Sequence, residues 1–180
     1  MDAWLRALDV LDIDATIVGR IPSLQRDDEH RVADDHHVSA QWGLRETKWL
    51  SKPYYTSVDE ILAFDPRNHD TSSAQEKTDR YSANYEQTQR LFGSTTLYVP
   101  GHYQLILHYM PFYCDWTTFF ETVALEPDRC RFLYDRCEAY SIEVFSALAS
   151  TDAPLIIAHE DLCGTRGPLF SPEMLRREVF

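Results

Sequence analysis

Basic clusters, paired cysteines and long apolar runs are all missing from this chain. Lys and Arg number 17 against 29 Asp and Glu, a formal net charge of -12, and no stretch gathers the bases into a patch. Such a surface repels phosphate backbones and anionic lipid, so neither nucleic acid nor a membrane surface is an expected partner. With no run of about 18 apolar residues, no conventional membrane-spanning helix is expected. The opening Met1-Asp-Ala-Trp-Leu-Arg6 lacks a basic start followed by an apolar signal core, and a cytoplasmic location is the default expectation. The four cysteines, Cys114, Cys130, Cys137 and Cys163, show no CxxC spacing. That excludes the usual signals of a zinc ribbon or a thioredoxin-type pair and leaves reduced, mostly buried thiols as the expectation.

What is present suits one ordinary core: 180 residues with 44% hydrophobic content, read as a single domain over 1–180. Trp4, Leu5, Leu8 and Leu11 fall at helical spacing, and Ala15-Thr-Ile-Val-Gly19 reads as a strand ended by glycine. Gln25 to Asp35 is densely charged and expected at the surface, and Val38 to Trp49 fits a strand or a hairpin around Gly43. Ser57-Val-Asp-Glu60 matches a capping box for a short helix through Leu62, ended by Asp65-Pro66. Arg67 to Lys77 reads as a polar surface crossing before an amphipathic helix from Asp79 to Phe92 with Gly93 as its stop. Thr95 to Val99 is then a strand closed by Pro100-Gly101.

Glu126-Pro127-Asp128 starts the clearest helix, which runs to about Ser150. Its apolar face is Cys130, Leu133, Tyr134, Cys137, Tyr140, Val144, Phe145 and Leu148. Ala153-Pro-Leu-Ile-Ile-Ala158 is a continuous apolar run, the pattern of a strand buried on both faces. Beyond it Ser171 can cap a final helix, Pro172 suits its first turn and Glu173 favours the positive end of its dipole. Strand, long helix, strand, loop and helix in succession is the α/β pattern of parallel units joined by right-handed crossovers.

In parallel barrels the loop leaving the C-terminal end of a strand carries the chemistry. His159, Glu160 and Asp161 occupy that position after Ala158, where a carboxylate or imidazole can be tuned for proton transfer. The bland reading is a loop whose acids cap amides or pair with Arg166. Gly164-Thr-Arg-Gly167 could bring backbone amides up to an anionic group with Arg166 as a fork, although its spacing is neither a Walker A loop nor a dinucleotide fingerprint. His159 with Asp161 is too little for a metal site. His36 and His37 beside Asp34 and Asp35 point to opposite sides of an extended segment, which makes a shared ion hard to hold. His102 to Phe120 is dense in aromatics that can wall a pocket or simply pack a core; Tyr109 and His108 are the members able to donate a hydrogen bond.

Four stretches together resemble the uroporphyrinogen decarboxylase superfamily, which includes the corrinoid-linked methyltransferases. Asp34-Asp-His-His-Val-Ser-Ala-Gln-Trp42-Gly43, with Ser57-Val-Asp-Glu-Ile-Leu62, resembles an early region of the methyltransferase-like branch, and Phe119 to Tyr140 resembles the family helix opening on Pro-Glu. Gly101-His-Tyr-Gln-Leu-Ile-Leu-His-Tyr109-Met110 aligns without a gap on a family segment Gly-Ala-Pro-Trp-Thr-Leu-x-x-Tyr-Met, placing Tyr109 on its active-site tyrosine. Glu160-Asp161-Leu-Cys-Gly164 with Pro168-Leu-Phe-Ser-Pro-Glu173 is similar to the most specific of the family signatures.

The resemblance implies a (β/α)8 TIM barrel with a cleft for a tetrapyrrole or a methyl-carrying substrate at the C-terminal face of the strands. A complete barrel takes about 250 residues, so the expectation is a partial barrel, truncated before the last strands and inactive alone. It also implies Tyr109, Asp161 and His159 as catalytic residues, and His108, Glu160, Arg166 and Gly164 as substrate-binding ones. Decarboxylation needs neither metal nor cofactor, because a protonated pyrrole serves as the electron sink. The decarboxylase arginine motif is reduced to Arg20-Ile21-Pro22, and His102-Tyr103-Gln104 replaces Ala-Pro-Trp. Those departures keep a second enzyme in play: a methyltransferase using corrinoid and a zinc-bound His-x-Cys site that would lie beyond residue 180. A third reading is a non-catalytic half-barrel, since an unfinished barrel carries an exposed edge for a homodimer or a complementing chain.

Overall fold

The computed structural model describes residues 2–17, 31–33, 48–50, 53–102, 105–160, 162–164 and 167–179. The architecture is mixed α/β. Helix α1 (Asp2–Val10) leads into β1 (Ala15–Thr16), while β2 (Arg31–Ala33) and β3 (Lys48–Leu50) pair antiparallel. The strand β2 lies inside the stretch read as a charged surface segment; the hairpin expected around Gly43 has its centre outside the described residues, as do Arg20 and the Asp34 to Gly43 motif.

Short helix α2 (Val58–Leu62) forms because Ser57 and Glu60 complete the expected capping box. A single 3-10 turn over Pro66–Asn68 follows, then α3 (Ala74–Phe92). Helix α3 begins five residues before the expected Asp79, because Ser73 and Glu76 form a second capping box. Gly93 ends it at a φ of 67°, a conformation in which glycine carries no steric cost. The polar stretch 67–77 runs largely at the surface as expected, with Asn68, Thr71 and Ser73 through Glu76 exposed, but Asp70 and Lys77 within it are buried.

Strands β4 (Leu97–Tyr98) and β5 (Gly101–His102) are two halves of one extended stretch. The first half pairs parallel with β1, Ala15 opposite Leu97, and the second pairs parallel with β6 (Ile157–Ala158), Gly101 opposite Ile157. Between β5 and β6 run α4 (Met110–Tyr113), α5 (Trp116–Leu125) and the long α6 (Pro127–Ala149). Both parallel pairs are therefore closed by helical connections, as parallel pairing requires. Gly101 is demanded by proximity: a Cβ there would lie 2.2 Å from Ile157 Cγ2 and 2.6 Å from its carbonyl oxygen. A tight hairpin of β7 (Cys163–Gly164) and β8 (Gly167–Pro168) precedes α7 (Pro172–Glu178), which Ser171 caps as expected.

The core is built on α6. Cys130, Leu133, Tyr134, Cys137, Tyr140, Val144 and Leu148 are all buried, with Phe145 half-buried at the margin. They pack against Ile61, Phe64, Tyr109, Tyr113 and Phe119, so three aromatics of the stretch from His102 to Phe120 are core, while Trp116 and Phe120 are exposed. Arg136 reaches across from α6 to accepting carbonyls at the end of α2, bonding Phe64 O at 2.8 Å and also Leu62 O.

The apolar run 153–158 does not become a strand buried on both faces. Only Ile157 and Ala158 pair, while Leu155 and Ile156 are 57% and 39% exposed; Ile13 and Ile17, flanking β1, are exposed as well. A parallel strand is covered only where helices pack on it, and here no described element covers these flanks.

Candidate active site

Because β5 and β6 run parallel, His102 and the loop opening at His159 emerge at the same end. The His159 amide donates to the His102 carbonyl at 3.2 Å, extending the pairing past Ala158. The imidazole of His102 is only 3% exposed; its Nε2 lies 3.0 Å from the Tyr109 hydroxyl. Tyr109 comes from a 3-10 turn over Leu107–Tyr109 and is 0% exposed. The same hydroxyl is 3.3 Å from Ser141 Oγ on α6, and Ser141 donates to the Leu105 carbonyl at 2.6 Å. Rings close the cluster: Tyr140 meets Tyr109 edge-on at 6.2 Å, and Phe145 meets His102 edge-on at 5.9 Å. Burial pushes the Tyr109 phenol far above its ordinary range, with the Ser141 hydrogen bond opposing only in part, so it is neutral at physiological pH.

Glu160 ties this cluster to the loop after β6. Its two oxygens accept from the amides of Ile106 and Leu107, at 2.9 and 2.5 Å. Those amides open the turn that carries Tyr109, where Ile106 has no side-chain acceptor to offer. Both carboxylate oxygens are thus engaged in fixing the backbone, the bland reading of this acid. The His159 side chain is exposed. Asp161 and Arg166 lie outside the described residues, and of His108 only the backbone, inside the 3-10 turn, is described. Gly164 sits opposite Gly167 across the β7–β8 hairpin, with Gly167 at a φ of 125°.

Two members of the cluster had little voice in the sequence. His102 stood out only as one histidine among aromatics, and Ser141 was passed over between Tyr140 and Val144. Its signal was position: a hydroxyl on the buried face of a helix must find a partner.

A second polar centre lies beside the first. Asp70, held between α3 and α6, accepts from the Ser72 amide and hydroxyl at 3.1 and 2.5 Å, from Arg80 at 2.9 Å and from Tyr140 at 2.6 Å. Burial alone would raise its pKa, but these hydrogen bonds win and hold the carboxyl well below the usual range. Lys77 donates to Ser72 O at 2.5 Å and lies 3.6 Å from Glu143, which Arg67 also pairs at 2.6 Å. Every charge in this centre is matched, the arrangement of a structural network.

The expectation of reduced, mostly buried thiols holds among the cysteines: Cys114, Cys130 and Cys137 are free and buried, while Cys163 is exposed. Burial pushes Cys114 up to about 12, Cys130 up to about 11 and Cys137 well above its ordinary value, so none of these three is a thiolate at neutral pH. Among the described residues no three His, Cys, Asp or Glu side chains converge as a metal site, and no helix is long and apolar enough to cross a membrane. Comparisons with family models, curated proteins and solved structures found no match to this chain.

Proposed function

We propose that this chain is a uroporphyrinogen decarboxylase-like enzyme built on a partial (β/α)8 barrel. It would remove a carboxyl group from a tetrapyrrole-type substrate by metal-free acid–base catalysis. The supporting observation is the Glu160 clamp: it joins the segment from Gly101 to Met110 to the loop after β6, at the strand end where parallel α/β folds do their chemistry. Both segments carry the family resemblance, and the loop after β6 opens its most specific signature.

In such a reaction the carbon–carboxyl bond breaks toward a protonated pyrrole, which takes the electron pair, and the carbon is then reprotonated. The protein must supply an acid and hold the developing charge. Asp161, next in sequence to the anchored Glu160, is the proposed acid; His159 is its exposed neighbour, and the neutral Tyr109 supports the site from within.

The test is anaerobic incubation of the completed barrel, of which this chain is the first part, with uroporphyrinogen and no added metal, following CO2 release and loss of carboxyl groups by chromatography. Release is expected, with Asp161→Asn lowering the rate about 100-fold and Tyr109→Phe by less. Demethylation that requires zinc and a methyl-corrinoid would instead mark the methyltransferase alternative, and no turnover of either kind overturns the enzymatic reading. The half-barrel that acts by association is favoured by the exposed Ile13, Ile17, Leu155 and Ile156. A stable monomer by light scattering would remove it.

A further inference from the structure

Helices α1 and α3 each lead into a strand of one parallel pair, β1 and β4. Their C-terminal ends therefore meet beside Ala15 and Leu97, at the opposite end of the strands from His102. The Thr96 hydroxyl fastens this junction by donating to the Ile13 carbonyl at 2.9 Å. Between the two helix ends lies an open cleft of about 240 Å³, lined by Arg6, Leu8 and Asp9 of α1 and by Leu91, Phe92 and Thr96. That is below the roughly 300–1,000 Å³ that takes a drug-sized ligand, and it suits one small metabolite.

The charges of the cleft are set for a ligand and against the helix that carries them. Arg6 and Asp9, three residues apart, share a face of α1, yet they form no ion pair with each other. Neither side chain has another polar partner among the described residues. Asp9 also stands in the last turn of α1, which holds no base, and there the negative end of the helix dipole opposes a carboxylate. The other wall is apolar: Leu91 is 49% exposed, beside half-buried Leu8 and the buried ring of Phe92.

We propose that this cleft binds a free α-amino acid with an aliphatic side chain. Its carboxylate lies on Arg6, whose guanidinium offers the paired donors that a carboxylate takes. Its ammonium lies on Asp9 and supplies the positive charge that the end of α1 lacks. Its side chain covers Leu8, Leu91 and Phe92. Parallel folds place their chemistry at the other end of the strands, so this is a site of binding and not of turnover, independent of the decarboxylase reading.

The test is calorimetric titration of the full chain with L-leucine, set against isocaproate and isoamylamine, which keep the same hydrocarbon and each lack one charge. Leucine should bind with a dissociation constant on the order of 1 mM, and each analogue at least about tenfold more weakly. Arg6→Gln and Asp9→Asn should each weaken leucine by about tenfold or more. Asp9→Asn should at the same time raise the melting temperature by about 1–2 °C, because it removes the charge that opposes the dipole. That pairing of lost binding with gained stability is not what a merely structural acid would show. No saturable binding of leucine, an analogue bound as tightly as leucine, leucine binding unchanged in either variant, or an Asp9→Asn chain less stable than the original overturns the proposal. The comparison of leucine with its analogues needs no altered chain, so misfolding of a variant leaves it standing.

Discussion

Asp70 and Glu160 are both acids held by hydrogen bonds, yet they serve two different, neighbouring centres. Asp70 takes four donors from Ser72, Arg80 and Tyr140, and every donor lies on or beside α3 and α6. Glu160 takes two, both backbone amides of a turn some fifty residues earlier in the chain. The first is saturated and belongs to the helical packing. The second joins two strand-end segments around the buried cluster of His102, Tyr109 and Ser141. A saturated network resists change, whereas the end of a parallel strand is where such folds place their chemistry.

The largest expected effect breaks the helical side. Asp70→Asn leaves Arg80 without its charged partner and should cost about 2–3 kcal/mol in urea denaturation, the lower end because the Arg80 head is partly in water. The pH dependence has a definite sign. The folded pKa of Asp70 lies below its unfolded value, so its contribution is complete above about pH 4 and is lost as pH falls toward the folded value. Asp70→Asn should flatten that acid limb, and an unchanged limb would deny Asp70 its place in the network.

Next in size is the strand side. Gly101→Ala places a methyl group against the Ile157 backbone, forces β5 away from β6 and should cost about 2 kcal/mol. A fully stable Gly101→Ala chain would mean the two strands do not approach as described. The smallest effect sharpens the role of Glu160. Glu160→Ala should lose about 1 kcal/mol and speed hydrogen exchange at Ile106 and Leu107, with Glu160→Gln falling between because one oxygen remains to accept. Exchange at those two amides that does not respond would return Glu160 to the list of free substrate ligands.

Local signals in the sequence were read well where the physics is local. The Ser57–Glu60 capping box, the Glu126-Pro127 start of α6, the Gly93 stop and the Ser171 cap all stand as expected. In the polar stretch 67–77 the exposed majority follows the reading, and only Asp70 and Lys77 depart from it, because polarity was equated with exposure. Asp70 and Lys77 are buried because Tyr140 and Glu143 arrive from far along the chain, and Arg80 from the same helix as Lys77, to match them. The run 153–158 misled in the reverse direction, since an apolar pattern shows that burial would be favourable and not that a covering element is at hand. Tyr109 was legible as a polar member of an apolar stretch. Its partners His102 and Ser141 were not, because only folding brings β5 and α6 together.

Tyr140 and Ser141 are consecutive on α6, and each answers to a different side of the molecule: Tyr140 to Asp70, Ser141 to Tyr109 and Leu105. Successive residues on a helix diverge by about 100° around its axis. Two bonds so splayed act as a dial stop, fixing both the rotation and the height of the helix. A slip of one residue would turn the apolar seam of α6 out of the core by the same angle and would strand the adjacent phenol and hydroxyl at once.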